Sequence, residues 1–346
     1  MARTVFVGLS GGVDSAVSAA LLKREGYNVV GAFIKIWQPE FIECTWREDR
    51  LDAIRVCAAL GIPFREVDLS QQYKDEVVRD MLDTYAAGRT PNPDVMCNRS
   101  IKFGHFSDWA YAQGADLVAT GHYARVLTGT QGLELHRGLD TSKDQSYFLY
   151  RLTQNELEKI VFPIGAYEKT RVRSLAREFG LPVASKSDSQ GLCFVGDVSM
   201  KDFLARFLKL TEGDVVDEDG TVIGTHEGAA LFTVGERHGF GVRSNLPRYV
   251  TRVDTEMNRV YVARDRADTS AREVSLEKIH WIGAAPDLPC DMHVQARYRE
   301  TPIEATLDHN GHAKFAHAHT AAPGQSLVFY DNTRCLGGAV INSRIS

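Results

Sequence analysis

The sequence predicts an α/β N-terminal domain built on an open parallel sheet, a small β-rich middle domain and a C-terminal β-barrel. Short apolar runs alternate with helical stretches through the first half, and this βαβα order implies a parallel sheet with helices on both faces. Glycines close the helices, as at Gly26 and Gly61, where a left-handed cap suits them. After about Leu210 the texture changes to glycine and short alternating strands. The expected domains are 1–205, 206–268 and 269–346. A chain of 346 residues is too long for one ordinary domain.

In chain order, Thr4 to Leu9 is a short apolar run ending near glycine, as a buried parallel strand does. Val13 to Glu25 reads as helix, with Val13, Val17, Ala20 and Leu21 on one face. Val29 to Ile36 and Phe64 to Val67 are strands flanking a helix over Leu51 to Leu60. Helical pattern resumes over Tyr73 to Tyr85 and Phe103 to Gln113, with a strand at Asp116 to Thr120. The two prolines of the stretch between them, Pro91 and Pro93, predict a rigid non-helical loop. Leu152 to Ile160 and Thr170 to Phe179 read as helices. Beyond them, Val215 to Ile223 is a hairpin with Asp219-Gly220 at its turn. Tyr249 to Val253, Val260 to Ala263, His293 to Tyr298, Ile303 to Leu307 and Ser326 to Tyr330 read as strands.

Composition excludes several classes. Hydrophobic and charged fractions of 44% and 25% are those of a globular chain. No apolar run approaches the ~20 residues of a membrane span, and the N-terminus has no signal-peptide layout, so no membrane association and a cytoplasmic location are expected. Six cysteines without a CxxC pair argue against a disulfide scaffold or a structural zinc site. A formal net charge of -5 counts against a nucleic-acid partner, although a local basic face is compatible with it. His309, His312, His317 and His319 read as surface histidines rather than a metal site.

The strongest local signal is the strand-loop-helix at Gly8-Leu9-Ser10-Gly11-Gly12-Val13-Asp14-Ser15. Adjacent glycines let backbone turn sharply beside a ligand. The next helix offers free N–H groups and the positive end of its dipole to phosphate. Ser10 and Ser15 add hydroxyls, and Asp14 can hold the magnesium that accompanies ATP. Neither GxxxxGK[ST] nor GxGxxG is present. Two thiols stand in polar surroundings: Cys97 after Gly88-Arg89-Thr90-Pro91-Asn92-Pro93-Asp94, near Arg99 and Lys102, and Cys193 in the polar stretch Ser185 to Gly196, expected to be mobile. Two such thiols suit persulfide sulfur transfer, in which one carries the sulfur and the other attacks it. Cys44, Cys57, Cys290 and Cys335 read as structural.

Ser10 to Ser15 after a first strand resembles the pyrophosphate loop of the adenine nucleotide alpha hydrolases, which cut ATP between the α and β phosphates. The likeness implies a Rossmann-like sheet of that type. Segments 8–15, 88–94 with Cys97, 119–124, 143–149, 188–194 and 323–326 together resemble the bacterial tRNA-specific 2-thiouridylases along almost the whole chain. That resemblance implies ATP-driven adenylation of the C2 oxygen of a wobble uridine and its replacement by sulfur. It implies catalytic roles for Cys193 as persulfide carrier, Cys97 as nucleophile and Asp94 as acid or base. Gly8 to Ser15, Ile34 and Gly121 would line the ATP site. Asn92, Pro93 and Asp94 would meet the flipped-out base. His122, Lys143, Asp144, Gln145, Arg297, Tyr298 and Gln325 would touch the tRNA anticodon arm, and a sulfur-relay protein would supply the persulfide. An iron-sulfur cluster on Cys97 and Cys193 is the weaker alternative, since clusters usually take four cysteines.

Overall fold

The computed structural model describes residues 2–42, 46–130, 132–188, 198–242 and 247–345. The N-terminal sheet holds β1 (Thr4–Leu9), β2 (Asn28–Lys35), β3 (Phe64–Asp68) and β4 (Leu117–Ala119). Beyond a hairpin of β5 (Ala124–Gly129) and β6 (Gly132–Arg137), β7 (Ile160–Val161) completes it. The strand order is β3-β2-β1-β4-β7, and every pairing is parallel. The chain winds from β1 to β2 and β3 on one side, then crosses to β4 on the other. β1 and β4 therefore form the switch point, where ligands bind at the carboxyl ends of strands in such sheets.

Helix α1 (Val13–Arg24) is buried on nearly all sides, because it lies between the sheet and the helix Lys169–Glu178. Its alanines and small serines allow that close approach, so a single apolar stripe understates its burial. On the other face, Phe6, Val30, Val77, Met81, Ile101 and Phe106 form a second core.

Two expectations fail in this domain. The prolines do not hold residues 93–102 out of a helix. Pro93 sits at the first helical position, where its missing N–H costs nothing, and Asn92 caps the turn by accepting from the Val95 amide. One helix then runs through 93–112, π-wound over Cys97–His105. Residues 152–160 are not one helix either: Thr153 and Glu156 form a capping box on a single turn, Gln154–Leu157, and Ile160 enters β7.

The middle domain is a five-stranded sheet of β8 (Gly213–Val216), β9 (Val222–His226), β10 (Gly241–Val242), β11 (Tyr249–Asp254) and β12 (Arg259–Ala263). The Asp-Gly hairpin is present, with the Asp217 carboxylate accepting from Asp219 and Thr221 amides. Then come β13 (Ala271–Trp281), β14 (Cys290–Gln295), β15 (Ile303–Leu307), β16 (His312–His319), β17 (Ser326–Asp331) and β18 (Arg334–Ile345). β13 pairs with both β16 and β18, which closes a six-stranded barrel.

The β5–β6 hairpin, unforeseen in the sequence, extends the barrel sheet through β6 and β18. Tyr147, Tyr150, Leu135, Val328 and Tyr330 share one core there, so the first domain and the barrel are packed as one unit. Tyr147 donates to the Ala296 and Ser326 carbonyls at 3.1 Å each.

Candidate active site

The loop Ser10 to Ser15, expected to hold phosphates, sits at the switch point. Gly11 has φ +74°, and a Cβ there would stand 2.5 Å from the Asp49 carbonyl oxygen, so glycine is required twice over. Gly12 precedes α1 with no side-chain cap, leaving the first amides of the helix to an anion. Ser15 Oγ accepts from the Ser10 amide at 3.2 Å and donates to the Gly12 carbonyl, fixing the loop from below. Ser10 itself is exposed. Leu9 and Val13 are buried beneath the loop. Ile34, at the end of β2, lies beside Gly8, its Cδ1 3.8 Å from where a Gly8 Cβ would stand.

From β4, Thr120, Gly121 and His122 enter the same edge. A Cβ on Gly121 would meet the Ser15 amide nitrogen at 2.7 Å. His122 is buried between Phe103 and Phe162, with Nδ1 2.7 Å from Thr120 Oγ1 and Nε2 3.5 Å from Lys102 Nζ. Burial, then the Lys102 charge, push its imidazole well below its ordinary value, so it is neutral.

Lys102 rises from the helix that carries Asp94 and Cys97. These two stand one turn apart on one face, at half-buried positions. Burial raises the Asp94 carboxyl above its ordinary value, and Lys102 opposes that only in part. Cys97 packs against the same apolar cluster as Ile34. The π-winding begins at Cys97, a deviation that recurs at functional positions. Cys193 falls in 189–197, outside the described residues.

Asp14 is not open. Lys169 Nζ lies 2.8 Å from both carboxylate oxygens, and Tyr123 donates to Oδ1 at 2.9 Å. Lys169 also pairs with Asp188 at 2.8 Å, and Lys143 and Arg173 reach Asp188 at 2.9 and 2.6 Å. Burial works to raise the Asp188 carboxyl, but Lys169 and Lys143 hold it below the usual carboxylate range. Lys186 is tied to Asp49 and Asp52. The described start of the polar stretch, expected to be mobile, is thus anchored up to Asp188.

Three domains meet at residues 88–91. A Gly88 Cβ would touch Thr255 and Val253, Thr90 Oγ1 donates to Thr233 Oγ1, and Arg89 pairs with Glu277 at 2.6 Å. Gln325 Nε2 donates to the carbonyls of Thr90 and Pro91 at 3.1 and 2.8 Å.

The family model described as tRNA methyl transferase HUP domain matches residues 3–197. The tRNA methyl transferase PRC-barrel domain matches 201–264, and the aminomethyltransferase beta-barrel domain matches 271–341. A tRNA-specific 2-thiouridylase MnmA of Francisella philomiragia is 40% identical, over 97% of this chain and 98% of that protein. Those of Bacillus subtilis and Geobacillus kaustophilus (MnmA 2) are 41% and 43% identical, each over 98% of this chain and 94% of the relative. The chain belongs to the tRNA-specific 2-thiouridylase family.

As a 2-thiouridylase-family chain it places its expected site residues unevenly. Asn92, Pro93, Asp94 and Cys97 gather at one helix start, and Gly8 to Ser15, Ile34 and Gly121 at the neighbouring strand ends. The positions expected to touch RNA are mostly engaged inside the protein. Asp144 is buried and accepts from Arg137, Gly138 and Ser146. Gln145 accepts from the Tyr123 amide, Lys143 pairs with Asp188, and Tyr298 packs on Phe148 at 4.6 Å. Arg297 donates to the Val234 carbonyl at 3.5 Å. Sequence reading missed Lys169 and Tyr123, and took Lys102 only as a basic neighbour of Cys97, not as the contact of His122. Only a buried-lysine argument marks Lys169, since nothing in its local pattern separates it from a helix-start residue.

The magnesium expected on Asp14 does not fit this arrangement, because Lys169 already compensates that carboxylate. Among the described residues no group of three or more His, Cys, Asp and Glu side chains is placed to hold a metal ion. Nor, among them, is any helix long and apolar enough to cross a membrane.

Proposed function

We propose that this chain thiolates a tRNA uridine, consuming ATP to activate the C2 oxygen of the wobble base and replacing it with sulfur. The observation that carries the reading is the meeting of two sites at one sheet edge. The uncapped N-terminus of α1 is suited to anionic phosphates, and Gly121 packs directly against it. His122, next in the chain, contacts Lys102 of the helix bearing Asp94 and Cys97. A nucleotide phosphate and a nucleophilic thiol can therefore serve one substrate atom.

The steps balance as follows. The C2 oxygen attacks the α-phosphorus of ATP, and pyrophosphate leaves. Cys193 arrives as a persulfide loaded by a sulfur-relay protein. The Cys97 thiolate attacks the inner sulfur of that persulfide, breaking its S–S bond, releasing hydrosulfide and closing a Cys97–Cys193 disulfide. Hydrosulfide adds at C2, and AMP departs with the original oxygen. Two thiols are oxidised as one sulfane sulfur is reduced, and an external thiol resets the pair. Asp94, with its raised carboxyl, exchanges the uridine N3 proton as charge moves on the ring. Asn92 and Pro93 hold Asp94 at the helix start, where the base lies flipped from its stack. Of the other positions proposed for RNA, His122 would contact it after rearrangement of its buried ring. Lys143, Gln145, Arg297, Tyr298 and Gln325 lie at half-buried positions, and Asp144 would act by holding the turn beneath them.

The test is nucleoside mass spectrometry on unmodified tRNA incubated with ATP, magnesium and a persulfide donor. Native protein is compared with Cys97→Ser and Cys193→Ser. The reading requires 2-thiouridine only when both cysteines are present. AMP release without any 2-thiouridine would point instead to an amide-forming synthetase on the same fold. Thiolation lost on iron removal from anaerobic protein would favour a cluster on these thiols.

A further inference from the structure

Of the cations near the loop Ser10 to Ser15, Lys169, Lys143, Arg173 and Lys186 each stand 2.6–2.9 Å from a carboxylate. Lys102 does not. It is half-buried, and among the described residues it forms no ion pair. Its hydrogen-bonding neighbour is His122, with Nε2 3.5 Å from the ammonium. An ammonium only donates, so Nε2 accepts, and Nδ1 carries the proton that it donates to Thr120 Oγ1 at 2.7 Å. Burial keeps this imidazole neutral, so it aims the ammonium without offsetting the charge. Asp94, on the same helix, feels the Lys102 charge but makes no ion pair with it. A cation drawn partly out of water without a counter-ion is costly, and an arriving anion removes that cost.

The flanking groups select the anion. On one side, His122 follows Gly121, whose Cβ would lie 2.7 Å from the Ser15 amide nitrogen in the first turn of α1. On the other, the helix of Lys102 carries Asp94 and Cys97, the groups assigned to the base. During adenylation only the α-phosphate is joined both to the adenosine and to the base oxygen. We propose that Lys102 is a further catalytic residue, whose ammonium holds the α-phosphate of ATP and then of the adenylated uridine. The inference rests on the thiolation reading for its kinetic test, while its binding test stands apart from that reading. As the C2 oxygen bonds to the α-phosphorus, the bond from that phosphorus to the pyrophosphate oxygen breaks, and negative charge spreads over the oxygens between them. The ammonium offsets this charge and keeps its protons throughout. When hydrosulfide adds at C2 and the C2–O bond breaks, AMP leaves with that oxygen against the same cation.

Lys102→Met removes the charge and keeps an unbranched chain, whereas Lys102→Arg keeps the charge. Each full-length variant is compared with wild type in three ways: AMP and adenosine affinity by calorimetry, single-turnover pyrophosphate release with tRNA, and iodoacetamide labelling of the Cys97 peptide across pH. Lys102→Met should bind AMP about 10-fold or more weakly, bind adenosine as wild type does, and release pyrophosphate about 100-fold more slowly. Its Cys97 labelling profile should not move, and Lys102→Arg should recover most of the AMP affinity. Wild-type AMP affinity or wild-type pyrophosphate release in Lys102→Met would overturn the proposal. A labelling profile moved to higher pH with release unchanged would make Lys102 an activator of the thiol instead. Should Lys102→Met not fold, Lys102→Gln takes its place. If wild-type protein makes no 2-thiouridine, the thiolation reading fails, and the AMP and adenosine affinities alone decide the role of Lys102.

Discussion

Gly121→Ala should disable the proposed nucleotide site, whereas Gly8→Ala should not, although both glycines are assigned to its border. The difference is steric. A Cβ on Gly121 would stand 2.7 Å from the Ser15 nitrogen and 2.8 Å from the Asp14 carbonyl carbon. Both atoms are backbone in the first turn of α1, a helix packed between the sheet and the helix Lys169–Glu178 with little room to shift. Ordinary contact begins near 3.4 Å, so the loop or the helix must shift by roughly 0.7 Å. Overpacking of that size costs about 1–3 kcal/mol. It also displaces the phosphate cradle by most of an ångström, worth up to about 100-fold in rate. A Gly8 Cβ, by contrast, would meet Phe106, Ile34 and Thr120 side chains at 3.6–3.8 Å, which is normal packing. Urea unfolding followed through the N-terminal domain, ATP binding by calorimetry and AMP release with tRNA separate the two. Gly121→Ala with wild-type stability and ATP affinity would refute the packing argument, as would a severe defect in Gly8→Ala.

Three further outcomes follow. Burial raises the Asp94 carboxyl in the fold, so its contribution to stability is present below the unfolded pKa and lost as pH rises through the folded one. Asp94→Asn should therefore unfold at higher urea than wild type at pH 7, converge with it toward pH 3, and lose thiolation by about 100-fold or more; a lower midpoint at pH 7 would contradict this. Lys169→Met removes the partner of Asp14, and because that side chain is 31% exposed the loss should be about 1–3 kcal/mol, below the full cost of breaking a buried pair. Denaturation curves of the two proteins measure it. Burial pushes the Cys57 thiol up to about 11 and the Cys335 thiol up to about 12, so iodoacetamide at pH 8 should label neither until the protein unfolds, as peptide mass spectrometry would show.

Much of the fold was legible because its signals are local. The β1 run, the α1 start and the Ile303–Leu307 strand follow from apolar period and turn chemistry within a few residues. Pro93 misled because proline at a helix start and proline in a loop look alike, and only the Asn92 cap tells them apart. The β5–β6 hairpin escaped because its edge is completed by Arg334 and Cys335, two hundred residues later. The sharp turn before α1 could be read from Gly11 and Gly12. The ties of Lys169, Tyr123 and Gln325 could not, since each partner lies far along the chain. Asp144 was expected at the RNA through the family resemblance alone, and its burial follows from the barrel packed over it.

In the proposed reaction, ATP activates the C2 oxygen of the uridine. Single-turnover reaction of tRNA carrying ¹⁸O at that one position tests it directly, with the AMP analysed by mass spectrometry. One ¹⁸O should appear in the AMP phosphate for each 2-thiouridine formed. Unlabelled AMP, formed alongside 2-thiouridine, would contradict it.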